Sequence, residues 1–383
     1  MEITLEAGEL ARCLASVKSV APSRTTIPIL NNVLIVADVG RVSITATDLD
    51  MQKRASVVCE TITEGRITIP AGVLFGIAKA FPKAQLITIK VDSDRARVTS
   101  GRSKYDLRTL PAVDFPIMAE SVDGSIAFEA PCAAIGSAID AVKGMFDGNH
   151  VAPFYRGLWM LLDGGRLAFV AADGHRLARI FVGDDGVPPG LPAVQMTTAA
   201  VREIGTMLGE DGQAVFSVSK GRLSVVADGV HLIARTLASE VSDYNRVIRG
   251  AGGASVRVKA GDLAQAMGRL LIVYSGVETF TPGFALRTKG GNVEIIAGED
   301  GADYGHEVIA ADVGDLVHFT ASAPYIAEMI GGWPPDAMLT IGAEPGRAIL
   351  ITSDDCPELT QIIMPMTMAK SVARDDHGDD IAA

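Results

Sequence analysis

One phrase recurs six times along this chain: a short stretch of alternating apolar residues, a small residue, then an amphipathic helical pattern. It starts at Ile3, Ile67, Ile126, Val194, Val256 and Val317, so successive starts lie 64, 59, 68, 62 and 61 residues apart. Repetition at a near-constant interval constrains a chain more than its composition does, because it commits the fold to one supersecondary unit used again and again. Such a chain makes a shape before it makes a catalytic cleft.

Each apolar stretch alternates with period two, as a half-buried strand does. The residues after it are spaced for one face of a helix. In the first unit Leu10, Leu14 and Val17 share a face opposite Arg12, Ser16 and Ser19. The later units repeat this with Leu74, Ile77 and Ala78; Ile135, Ile139 and Val142; Val201 and Ile204; Leu263, Met267 and Leu270; and Ile326, Met329 and Ile330. A strand, a turn and another strand follow each helix, as in Arg41 to Asp48, Arg166 to Asp173 and Arg222 to Asp228. The unit is therefore strand, helix, then mainly antiparallel strands. Two units side by side give a sheet with two helices on one face, an α+β arrangement. Six units pair into three similar domains, expected at 1–121, 125–250 and 255–369. The seams fall at Ser121-Val122-Asp123-Gly124 and at the Gly-rich run Arg249 to Ala254. Residues 370–383, with Asp375, Asp376, Asp379 and Asp380 and no apolar period, read as a disordered acidic tail.

Composition narrows the function classes. The chain has 48% hydrophobic but only 5% aromatic residues, so the cores are aliphatic. A formal charge of −12 excludes a surface that is basic all round, though not a basic strip on one face. Cys13, Cys59, Cys132 and Cys356 are scattered with no CxxC pair and read as reduced thiols of a cytoplasmic protein. No basic and apolar leader opens the sequence and no run has the length of a membrane span, so the expectation is a soluble chain with no signal peptide. The six histidines form no metal-ligand spacing, and neither a phosphate-binding GxxxxGK[ST] loop nor a GxSxG elbow occurs. Asp48 and Asp50 read as a hairpin turn before they read as a metal site. The expectation is no catalytic residue, no metal and no cofactor. The stretch Asp173-Gly174-His175-Arg176-Leu177-Ala178 leaves two readings open: a plain Asp-Gly hairpin turn, or a notch in which His175 and Arg176 sit beside exposed apolar residues and bind a peptide.

Several phrases together resemble the bacterial DNA polymerase III beta subunit family, the replicative sliding clamps. They are Ile27-Pro28-Ile29-Leu30-Asn31-Asn32, Thr47-Asp48-Leu49-Asp50-Met51, Ser100-Gly101-Arg102-Ser103, and Leu110-Pro111-Ala112-Val113-Asp114-Phe115-Pro116. Asp173 to Ala178, Asp243-Tyr244-Asn245-Arg246-Val247 and Met364-Pro365-Met366 complete the set, in the family's order and across the whole chain. The resemblance implies three clamp domains forming half of a ring, closed head to tail by a second copy. Dimer contacts would fall on Tyr105 and Leu107 in one chain and on Ile272 and Val273 in the other. A ring holds double-stranded DNA without reading its sequence. Arg24, Asn149 and Phe154 match loop positions that touch DNA in the family, and Lys79, Lys83, Lys143 and Arg202 are helix cations available to the pore.

The predicted helix segments hold seven basic residues (Arg12, Lys18, Lys79, Lys83, Lys143, Arg202 and Arg269) against five acidic ones, a net +2 where the chain is −12. The resemblance further implies a peptide-docking groove. Its positions are Tyr155, Ala172, Gly174, His175, Arg176 and Leu177, then Ser242, Arg246 and Val247, then Ile362, Ile363, Met364, Pro365 and Met366. The implied partners are the DNA polymerase III alpha subunit, the clamp loader and other polymerases and repair proteins that carry a clamp-binding motif; no membrane is implied. Departures from the family pattern are Ser242 in place of Pro, Tyr155 and Ala172 in place of Leu and a small hydroxyl residue, and a chain that runs on past Met366. A divergent clamp-like peptide scaffold is the alternative, and an enzyme built on α+β repeats is the remote one.

Overall fold

The computed structural model describes residues 1–92, 94–120, 124–183, 186–274, 282–298 and 303–366. The first seam's Ser121, Val122 and Asp123 and the acidic tail at 370–383 lie outside them. Among the described residues are seven α-helices: α1 Ala7–Val17, α2 Ala71–Ala80, α3 Cys132–Val142, α4 Thr198–Met207, α5 Tyr244–Gly250, α6 Ala260–Leu270 and α7 Ala323–Gly331. All except α5 are repeat helices. They bury the faces that the sequence spacing marks, including Leu10, Leu14 and Val17 on α1 and Ile326, Met329 and Ile330 on α7. Each such Leu or Ile withdrawn from water contributes about 2 kcal/mol. Local caps set some of the starts. The Thr197 hydroxyl accepts from Ala200 N at 3.1 Å at the head of α4, and Asp243 does the same for Arg246 N at the head of α5.

Contacts divide the chain into two units. The first comprises Met1–Gly136 and Asp184–Ala238. It holds a five-stranded sheet in the order Glu60–Thr63, Glu2–Glu6, Leu86–Asp92, Arg95–Ser100, Ser103–Arg108. It also holds an eight-stranded sheet in the order Ile126–Pro131, Gln213–Ser219, Arg222–Ala227, Val230–Arg235, Met51–Val58, Arg41–Thr47, Asn32–Asp38, Gly65–Pro70. Helices α1 and α2 pack on each other, and α1 covers Met51–Val58.

The second unit comprises Ser137–Gly183 and Ser239–Ala383. Within it one sheet runs Leu158–Asp163, Arg166–Ala172, Arg176–Val182, Leu359–Ile363, Ile349–Ser353, Met338–Ala343, Ala254–Lys259, Asp312–Val313. A four-stranded sheet runs Tyr304–Ala310, Asn292–Gly298, Gly283–Lys289, His318–Ser322. Helices α6 and α7 pack on each other.

Each unit contains an antiparallel pairing between strands of different expected domains. Val230–Arg235 lies beside Met51–Val58 with Leu232 opposite Lys53, and Arg176–Val182 lies beside Leu359–Ile363 with Leu177 opposite Ile362. These pairings carry a sheet from one expected domain into the next. That is why contact density cuts through the stretch 125–250 instead of following its seams.

Candidate functional site

A groove of about 300 Å³ lies wholly within the second unit. Strand alternation builds its floor. Residues on one face of Leu158–Asp163, Arg166–Ala172, Arg176–Val182 and Leu359–Ile363 bring together Trp159, Val170, Ala172, Leu177 and Ile362, all buried in one cluster with Tyr244. One rim is the turn Pro153–Arg156, held by the Trp159 indole N–H donating to Phe154 O at 3.0 Å. The Phe154 ring stacks on Trp159 with centroids 5.6 Å apart, and Tyr155 stands between Phe154 and His150 in edge-on contacts of 5.4 and 4.7 Å. The opposite wall is α5. Val247 on that wall and Met364 stay 41% and 46% exposed, so among the described residues apolar surface is left facing water.

The Asp173–Arg176 turn combines a hairpin bend with a place in the groove lining. It is a tight hairpin turn, with Gly174 at φ +88° and the Asp173 carboxylate accepting from the backbone N–H of His175 and of Arg176 at 2.9 Å each. It also lines the groove, with His175 O accepting from Met364 N at 2.8 Å. A Cβ on Gly174 would lie 3.6 Å from the Tyr155 ring, so the bare backbone shapes the notch as well.

Of the groove positions implied by the resemblance, Tyr155, Ala172, Gly174, His175, Arg176, Leu177, Ser242, Val247, Ile362 and Met364 come together here. Arg246 lies exposed on α5, and Pro365 and Met366 lie just beyond Met364, outside the lining. Ile363 is buried, on the other face of its strand. Phe154, grouped by the resemblance with the DNA contacts, is a lining residue of this groove. Asp243 and Tyr244 also line it, and sequence reasoning did not place them there. The signal was available, since an Asp N-cap before an aromatic marks a helix start even when the helix is too short to show a period.

Arg176 departs from a simple ligand-binding role. Strand alternation turns its guanidinium to the helix-bearing face. There Nε donates to Asp173 at 2.9 Å, one terminal nitrogen to Glu328 at 2.7 Å and the other to Gly144 O at 2.7 Å. Its carbon lies 4.3 Å from the centre of the Tyr325 ring, a cation–π contact. Behind the opposite wall, burial and then the Asp163 carboxylate push the Tyr244 phenol above its ordinary range, so it stays a donor.

The other expected residues lie elsewhere. Arg24, Lys79, Lys83 and Arg202 are exposed in the first unit, and Lys143 and Asn149 are exposed in the second. Lys18 and Lys79 both approach the Phe75 ring, at 4.6 and 6.0 Å. Four of the seven helix cations are paired within the chain: Arg12 with Glu9, Lys143 with Asp140, Arg202 with Glu203 and Arg269 with Glu307. Tyr105 and Leu107 lie on Ser103–Arg108, one of the two outer strands of the five-stranded sheet. Ile272 and Val273 lie in the turn Leu271–Tyr274, where Ile272 is 72% exposed. Val273 packs toward Gly305 on Tyr304–Ala310, one of the two outer strands of the four-stranded sheet. Among the described residues no cluster of three or more His, Cys, Asp or Glu could hold a metal ion, and no helix is long and apolar enough to cross a membrane.

Comparison with known proteins gives consistent likenesses. The family profile described as DNA polymerase III beta subunit, N-terminal domain, matches residues 1–119. The beta sliding clamp of Pseudomonas aeruginosa is 27% identical over 371 residues, covering 96% of this chain and all of that one. The beta sliding clamp of Caulobacter vibrioides is 30% identical over 256 residues, covering 65% of this chain and 68% of that one. A crystal structure of the Pseudomonas aeruginosa sliding clamp, DNA polymerase III subunit beta, bound to griselimycin superimposes with a TM-score of 0.88 at 26% identity, covering 96% of this chain and all of that one.

Proposed function

Since the chain belongs to the beta sliding clamp family, we propose that two copies close head to tail into a ring around double-stranded DNA and tether other proteins to it. The domains at 1–121, 125–250 and 255–369 give each copy three arcs of that ring. The observation that carries this reading is that the expected seam residues lie on or against two sheet-edge strands. Among the described residues, Ser103–Arg108 closes one side of a sheet in the first unit and Tyr304–Ala310 closes one side of a sheet in the second. An open strand edge invites pairing, and pairing two unlike edges head to tail by two-fold symmetry uses up both. Tyr105, Leu107, Ile272 and Val273 form that seam.

DNA is held without sequence readout by Arg24, Lys79, Lys83, Lys143, Asn149, Phe154 and Arg202. The exposed pair of Lys143 with Asp140 does not oppose this. Exposed ion pairs are worth at most about 1 kcal/mol, and a phosphate can take the acid's place. The groove takes apolar anchors of short peptides from the DNA polymerase III alpha subunit, the clamp loader and repair proteins, and griselimycin, bound by the Pseudomonas aeruginosa clamp, serves as a probe for it. The chain acts in the cytoplasm as a processivity factor and performs no chemistry itself.

A second reading is a clamp-like peptide scaffold with altered partner choice. The particular observation behind it is the groove wall, where Tyr155 and Ser242 reshape the lining. One experiment separates the two. A clamp, once loaded, stays on closed circular DNA and slides off when that circle is cut. Equal retention on circular and linear DNA overturns the ring and leaves the scaffold.

A further inference from the structure

We infer that Asp163 is the positioning residue of the groove: it fixes the helix α5 against the sheet and so sets where Val247 stands. The inference rests on the groove being the ligand site, as proposed above. Helix α5 has seven residues, fewer than two turns, and Tyr244 is its one buried side chain. So short a helix does not hold itself in water, and residues 238–243 before it form neither strand nor helix. Something outside α5 must hold it.

Asp163, at the end of the strand Leu158–Asp163, supplies the hold. Its carboxylate accepts from the Tyr244 hydroxyl at 2.9 Å, from the Asn245 amide at 3.2 Å and from Arg179 at 3.2 Å. Arg179 closes the triangle by donating to the Asn245 side-chain oxygen at 3.2 Å, and it reaches Thr360 at 3.3 Å. Its guanidinium carbon lies 4.5 Å from the centre of the Phe181 ring. The Asp163 and Arg179 side chains are 18% and 17% exposed, so these charge-assisted bonds are partly shielded from water.

The consequence is geometric. Tyr244 and Asn245 start the helix, and Val247 lies one turn on from Tyr244, on the same side. Pinning the first two residues to one carboxylate therefore fixes the distance from Val247 to Leu177 and Ile362 on the floor. An untethered α5 would let Val247 settle onto that apolar floor and bury itself, closing the groove. Holding it open in advance spares a ligand the cost of ordering the wall.

The test uses the full chain with Asp163→Ala, Asp163→Asn and Tyr244→Phe, each titrated with griselimycin by calorimetry and followed by hydrogen–deuterium exchange. Asp163→Ala is expected to weaken binding about tenfold, equivalent to roughly 1.4 kcal/mol, and to speed exchange in residues 244–250 but not in the strand Met338–Ala343. Asp163→Asn keeps a side-chain oxygen for Tyr244, and Tyr244→Phe removes a single donor, so both give a smaller loss in the same direction. Unchanged affinity in Asp163→Ala overturns the inference, as does faster exchange spread evenly over the second unit. If the unsubstituted chain does not bind griselimycin, or if Val247→Asp leaves that binding intact, the reading of the groove fails instead. Exchange confined to 244–250 then still supports Asp163 as the hold on α5, and its absence overturns that too.

Discussion

The Lys53 ammonium lies 3.0 Å from the Glu203 carboxylate, and both side chains are only 2% exposed. Lys53 comes from the strand Met51–Val58 and Glu203 from α4, so the pair joins two distant stretches of the first unit. Ser19, just beyond α1, donates to the same carboxylate oxygen at 2.7 Å. Charges this deep persist because they are paired, and Arg202 adds a longer contact to Glu203 at 3.5 Å. Lys53→Met leaves Glu203 buried without its partner and should cost about 3–5 kcal/mol, whereas Lys53→Met with Glu203→Leu should recover most of that loss. Thermal unfolding of the single and double variants checks this. A double variant as weak as the single one would show that the pair is not what the site needs.

Glu203 also makes a pH prediction. Burial opposes its charge, but the hydrogen bonds from Ser19 and Lys53 outweigh burial and bring its pKa below the ordinary 4.5. A carboxyl depressed on folding contributes stability above its unfolded pKa, and that contribution is lost as pH falls through the folded value. The gap in Tm between the unsubstituted chain and Glu203→Gln should therefore be full at pH 7 and shrink as pH falls below the ordinary 4.5. A gap that widens with acid would reverse the sign assigned here.

Arg176 is spent on Asp173, Glu328, Gly144 and Tyr325, so its substitution should act through the fold first. Lysine has no planar fork and cannot meet three acceptors at once. Arg176→Lys should cost about 2 kcal/mol of stability, the order of one or two charge-assisted hydrogen bonds. Under the proposed reading of the groove, affinity for griselimycin should fall by no more than the loosened turn requires. Thermal melts set beside calorimetric titrations measure both. A large loss of affinity with an unchanged melt would mean that the guanidinium touches the ligand directly.

How much of this was legible beforehand follows from the range of each interaction. The six repeat helices could be read because their apolar period comes from local geometry, and Leu10, Leu14 and Val17 reveal their face without any neighbour. Helix α5 could not, because one buried Tyr244 in seven residues makes no period. The resemblance supplied the groove residues, but not the side of the sheet on which each lies. That Ile363 and the Arg176 guanidinium face away from Leu177 and Ile362 depends on the pairing of Arg176–Val182 with Leu359–Ile363, strands nearly two hundred residues apart. Long-range register of this kind is set by tertiary packing, and the sequence pattern holds only its parity.

The proposed ring seam gives the last prediction, and the structure sharpens where to strike. Ile272 and Val273 are neighbours with different duties. Val273 turns inward, so close to the strand Tyr304–Ala310 that a Cβ on Gly305 would come within 2.8 Å of it. A charge at Val273 would therefore damage the fold of one chain before it tested any contact with a second. Ile272 is 72% exposed and owes the single chain almost nothing. In a closed ring the same side chain would be covered, and an aspartate there would bury a charge without a partner, which costs several kcal/mol. Ile272→Asp should thus leave the melt of the isolated chain within about 0.5 kcal/mol, as surface changes do, while shifting sedimentation from dimer to monomer. Retention on closed circular DNA should fall with it. A dimer unmoved by Ile272→Asp would place the seam away from the turn Leu271–Tyr274.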